Sequence, residues 1–96
     1  MENMENIHDY LDKNGLLKKR RGYMYLTDVI NLCIEKPFLS CKELFTFLTE
    51  NDSRYEGKNW STIYRVCDYS LNQALGGKVT TFGFIKEASD YIRRNS

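Results

Sequence analysis

The chain has 96 residues, 42% hydrophobic, 14% aromatic and 28% charged, with 6 Gly and 1 Pro, which excludes disordered, collagen-like and linker-like character and leaves room for one domain over 1–96. With 14 Lys plus Arg against 13 Asp plus Glu, the formal net charge is +1, so nucleic-acid or anionic-membrane binding must rest on local segregation of charge. No apolar run approaches the roughly 18 to 20 residues of a membrane span, and Met1 to Asn6 is polar and acidic, unlike a signal peptide, so a cytoplasmic protein without a membrane partner is expected.

Met4, Ile7, His8 and Leu11 fall at i, i+3, i+4 and i+7, the stripe of a first helix that Asn14-Gly15 ends. A basic loop, Leu16 to Gly22, follows. Leu26, Val29, Ile30, Cys33 and Ile34 then predict a central second helix, closed at Lys36-Pro37 because a residue before proline resists the α region. Ser40 with Glu43 three residues on is a capping-box signature, opening a third helix with Leu44, Phe45, Phe47 and Leu48 on its apolar face. Thr49 to Asn59 is rich in turn formers, with Tyr55 able to anchor a short helical turn. Ile63, Val66, Cys67, Ser70, Leu71 and Ala74 hold a helical stripe for three turns, ended by Gly76-Gly77. After the β-prone stretch Lys78 to Phe82, extended or a short loop, Phe84, Ile85, Ala88, Tyr91 and Ile92 predict a final amphipathic helix. The expected fold is an all-α, compact domain of five to six helices.

Little in the sequence points to catalysis. The single histidine, His8, reads as a helix-face residue near the terminus, which leaves Ser-His-Asp, Cys-His and histidine-based metal sites short of members. Gly76-Gly77-Lys78 follows a helix and precedes Val79, the wrong context for a phosphate loop. Cys33, Cys41 and Cys67 read as buried or half-buried thiols of a reducing compartment. No enzyme activity, metal or cofactor is expected.

Two features suit nucleic acid. Lys18-Lys19-Arg20-Arg21 holds 4 of the 14 basic residues in consecutive positions, able to grip phosphates or to stand as a solvated loop. On the helix from about Trp60 to Leu75, the face opposite the apolar stripe carries Ser61, Arg65, Asp68 and Asn72, flanked by Lys58, Thr62 and Tyr69. Arg donates to guanine, Asn pairs with adenine, Asp accepts from cytosine, and hydroxyls at a helix start hold phosphate. A polar face of this kind also occurs on ordinary surface helices.

The segment from Gly15 through Leu26, with six residues separating Gly15 from Gly22-Tyr23-Met24-Tyr25-Leu26, resembles the C-terminal effector domain of the master sporulation response regulator of endospore-forming bacteria. The likeness continues through Thr27 to Ile34, resumes at Asn59 to Asn72 where Ser61, Ile63, Arg65 and Leu71 match, and reappears at Phe84-Ile85. The resemblance implies a six-helix domain containing a helix-turn-helix whose recognition helix enters the major groove. Ser61 and Arg65 carry over from that helix, whereas Thr62, Tyr64 and Asp68 stand where the family carries arginine, glutamate and arginine. Leu48 to Asn59 is more polar than the family's first motif helix, implying a shorter or shifted scaffold helix.

A sequence-specific DNA-binding transcriptional regulator without a receiver domain is therefore expected. Arg65 would read bases, with Asn72 or Tyr69 adding edge contacts. Ser61, Lys58 and Asn59 would hold phosphates at the helix start, the Lys18 to Arg21 loop would touch flanking backbone, and Trp60 would be a packing anchor. Double-stranded DNA is the expected partner, with RNA polymerase or another protein as further candidates, and the resemblance implies weak homodimerisation through the last helix. The rival expectation is a protein-interaction module on the same fold, its DNA binding weakened by Asp68 and the region of Asp52 and Glu56.

Overall fold

The computed structural model describes residues 2–95, which form five α-helices and one 3-10 turn, with no strand among the described residues. Helix α1 (Glu2–Lys13) buries Ile7 and Leu11 completely. Its Tyr10 ring meets Phe84 at 5.6 Å and Tyr91 at 5.4 Å. His8 lies on this helix, tilted against the Tyr23 ring at 5.4 Å. The helix ends at Gly15, which takes the left-handed backbone (φ +88°).

Helix α2 (Arg21–Glu35) starts earlier than its apolar periodicity alone predicts, taking Arg21 and Gly22 from the basic loop into its first turn. Tyr23 explains the early start. Its ring is buried and its hydroxyl donates to Asp12 Oδ1 at 2.9 Å and to the His8 carbonyl at 3.3 Å, tying the new helix to α1. Leu26, Val29, Ile30 and Cys33 are all fully buried, and α2 packs against each of the other four α-helices, so it is the axis of the core. It stops before Pro37, as the sequence predicts.

Helix α3 (Cys41–Asn51) opens on the predicted capping box, with the Glu43 N–H donating to Ser40 Oγ at 3.2 Å and the Ser40 N–H to Glu43 Oε1 at 2.8 Å. It runs three residues into the expected polar loop, taking in Thr49, Glu50 and Asn51. A single 3-10 turn (Ser53–Tyr55) then leads to α4 (Trp60–Leu75), the whole connection being residues 52–59. The turn is clasped to α2. Tyr55 is fully buried, its ring 5.4 Å from Tyr25, and its hydroxyl donates to the buried Asp28 carboxylate. Arg54 pairs with Asp28 at 3.1 Å and Asp52 at 2.7 Å.

Helix α4 buries Ile63, Cys67 and Leu71 and ends at Gly76 (φ +66°). Helix α5 (Thr81–Arg94) begins earlier than expected: Thr81 and Phe82 belong to its first turn because Thr80 caps it, accepting from the Gly83 N–H at 3.0 Å, and buried Thr81 donates its hydroxyl to Asp68. The cap overrides the β-branched character of Val79 to Thr81. Lys86 donates to the Pro37 carbonyl at 2.8 Å, joining α5 to the α2–α3 loop.

The clasp generates two expectations. Tyr55→Phe removes a buried hydrogen bond to a carboxylate and should lower urea-denaturation stability by about 2 kcal/mol, the range for bonds to charged groups; a change within error would contradict the clasp. The Arg54 hydrogen bond holds the Asp52 carboxyl below the usual carboxylate range. A lowered folded-state pKa contributes stability above the ordinary value and loses it as pH falls through the lowered one. Arg54→Gln should therefore be less stable than the parent at neutral pH, with the gap closing on acidification below the ordinary carboxylate range.

Candidate nucleic-acid interface

The inward anchoring of Ile63, Cys67 and Leu71 turns the opposite side of α4 to solvent. Thr62, Arg65, Tyr69 and Asn72 are exposed, Tyr69 by 58%, and Ser61 is half-buried. Asn59 caps the helix, its Oδ1 accepting from the Ser61 N–H at 2.9 Å and from the Ser61 hydroxyl at 2.7 Å. Ser61 thus spends its hydroxyl proton on the cap. Lys58 stands exposed just before it.

Asp68 does not join the exposed ridge. It is half-buried and its Oδ1 accepts from the Thr81 hydroxyl at 2.9 Å, so this carboxylate links α4 to the start of α5. Asn72 reaches Asp68 Oδ2 only at 3.5 Å, and its amide stays exposed.

On one side of the ridge lies an open groove of about 360 Å³, lined by Arg20, Arg21, Thr62, Arg65, Tyr69 and Ser70 among others. Gly22 makes this groove. A Cβ placed there would stand 1.9 Å from Ser70 Oγ, 2.6 Å from Ser70 Cβ and 3.2 Å from the Val66 carbonyl, so only glycine lets the first turn of α2 lie directly on α4. The close approach carries Arg20 and Arg21 beside Arg65, although the two segments are far apart in the chain. The other half of the basic tract goes elsewhere: Lys18 pairs with Asp12 at 3.7 Å, and exposed Lys19 does not line the groove.

On the other side of the ridge, a furrow of about 270 Å³ is lined by Cys41, Lys42, Trp60, Ser61, Tyr64 and Arg65. Arg65 borders both depressions. Lys42 Nζ sits 5.5 Å from the centre of the half-buried Trp60 ring, a cation–π contact that positions the ammonium group. Sequence reasoning missed Lys42, because a lone lysine in the first turn of a helix carries no local signal. It also missed the role of Gly22, for which a glycine just before a buried tyrosine was the available sign.

Among the described residues, no carboxylate forms an ion pair with Arg20, Arg21, Lys42 or Arg65. The ridge and its two flanks are thus a local excess of positive charge in a nearly neutral chain. Burial raises the pKa of the Cys41 and Cys67 thiols, which keeps them protonated and unreactive despite the position of Cys41 in the furrow. No group of three His, Cys, Asp or Glu side chains suited to a metal occurs among the described residues, and no described helix is long and apolar enough to cross a membrane. Comparisons with protein families, curated proteins and solved structures give no match.

Gly22→Ala should destabilise the fold by at least about 2 kcal/mol, the scale of overpacking in a filled contact. Adding Ser70→Gly should recover part of that loss even though Ser70→Gly alone is destabilising. Simple additivity of the two substitutions in a double-mutant cycle would show that the helices do not meet at this point.

Proposed function

We propose that the protein is a sequence-specific DNA-binding regulator, non-enzymatic, in which α3 and α4 act as a helix-turn-helix pair and α4 lies in the major groove. It would work in the manner of the effector domains of sporulation response regulators, which its Gly15 to Leu26 segment resembles. Arg65 is the base-reading side chain, with Tyr69, Thr62 and Asn72 beside it, and Arg20 and Arg21 contact the phosphates of the flanking backbone. The observation that carries this reading is the gathering of Arg20, Arg21 and Arg65 in one open groove with no acidic partner among the described residues. A helix in the major groove needs base-edge donors on its ridge and cations along its flank, and this arrangement provides both.

The geometry also refines the roles. Asp68, held by Thr81, acts in helix packing rather than as an acceptor for cytosine, and Ser61 acts as part of the cap. Lys18, directed to Asp12, lies outside the contact surface. The eight residues 52–59 make a longer connection than the three or four typical of this motif, so the 3-10 turn and its Asp28 clasp, rather than a tight turn, set the angle of α4.

The second reading is a protein-interaction module. It is favoured by Phe38, which stands 78% exposed in the α2–α3 loop. Fluorescence anisotropy with selected and random duplexes at two salt concentrations separates the readings. Under the DNA function, Arg65→Ala loses about 1 to 3 kcal/mol against the preferred site and flattens base preference, while Arg20→Gln with Arg21→Gln weakens all duplexes alike. Duplex uptake absent even at low salt would leave the protein-interaction module.

A further inference from the structure

We propose that Lys42 is a second backbone contact, on the side of α4 opposite Arg20 and Arg21, so that the helix is held between the two phosphate backbones that bound one major groove. This rests on the DNA-reading function proposed for α4 and adds the kind of nucleic acid: a duplex rather than a single strand.

The ridge of α4 stands between two depressions that share Arg65, and each receives cations from a different neighbouring helix. Arg20 and Arg21 come from the start of α2, Lys42 from the start of α3. Lys42 is exposed yet not free to wander, since its ammonium group rests over Trp60 and the capping box fixes the turn that bears it. The adjacent carboxylate, Glu43, is turned back onto the Ser40 N–H at 2.8 Å and does not neutralise it. The major groove of B-DNA, about 12 Å wide, takes one helix with a phosphate backbone running along each side. Cations on both flanks of a single helix match that pattern. A single strand offers one backbone and would engage one flank, its bases seeking stacked aromatic platforms, whereas the ridge exposes one aromatic side chain, Tyr69.

The test is anisotropy of a fluorescein-labelled mixed-sequence duplex, and of one of its strands alone, over a range of salt. The proteins compared are the parent, Lys42→Gln, Lys42→Arg and the pair Arg20→Gln with Arg21→Gln. Each lost phosphate contact lowers the slope of log K against log salt by about 0.9 on B-DNA. Lys42→Gln should therefore flatten the duplex slope by about one and the arginine pair by about two, with the effects adding in the triple variant. Lys42→Arg should restore the parent slope, which separates loss of charge from loss of packing on Trp60. On the single strand, the parent slope should be shallower than on the duplex. A Lys42→Gln slope equal to the parent's, with the arginine pair still effective, overturns the second contact and leaves the DNA function standing. A Lys42→Arg variant as weak as Lys42→Gln, or equal parent slopes on duplex and single strand, overturns it as well. No duplex binding by the parent at the lowest salt removes the DNA function itself.

Discussion

Gly22 fixes how closely α2 lies on α4, and most of what matters in this molecule follows from that distance. Helix α2 is the core axis, so its spacing from α4 decides whether Val29 and Ile30 on one helix and Ile63 and Cys67 on the other share one packed interior. The same turn carries Arg20 and Arg21, so the spacing also decides whether they stand beside Arg65. One missing methyl group sets both the packing and the charge.

That turn breaks a local rule. Cations disfavour the positive end of a helix, yet α2 starts with Arg21 after Arg20, has no acidic residue in its first turn, and receives no side-chain cap. Helices α3, α4 and α5 each receive the side-chain cap that α2 lacks, from Ser40, Asn59 and Thr80. Tertiary contacts, above all buried Tyr23 with its bond to Asp12, hold the α2 start against this cost. Departures of this sort gather where a surface is shaped for something other than stability. On the proposed function, that something is the phosphate backbone.

A second constraint acts at the other end of the connection between α3 and α4. Asp28 is buried on α2 and holds both the Tyr55 hydroxyl and the Arg54 guanidinium, so the 3-10 turn is anchored to the core rather than draped over the surface. A buried carboxylate needs such partners to offset its desolvation. The anchored turn delivers Asn59 to the start of α4 at a fixed height, and so fixes the level of Arg65 relative to the arginines of α2. The chain's charge of +1 says nothing of this, because the acidic residues lie mostly on α1, α3 and α5, while among the described residues no carboxylate pairs with the cations of the α4 ridge and its flanks.

The sequence by itself determined the helices and where most of them stop. Three-turn apolar stripes, the Ser40 to Glu43 box, Pro37, and the glycines at 15 and 76 act within a few residues of themselves, so they are legible without a fold. It also singled out Arg65 and its neighbours, because a helix with one anchored face must present the other. Only the tertiary structure decided the rest. It drew Arg20 and Arg21 to the ridge and sent Lys18 to Asp12, turned Asp68 to Thr81, and set Lys42 over Trp60. These outcomes depend on contacts between residues distant in the chain, and periodicity along one segment carries no record of which neighbour its polar side will meet.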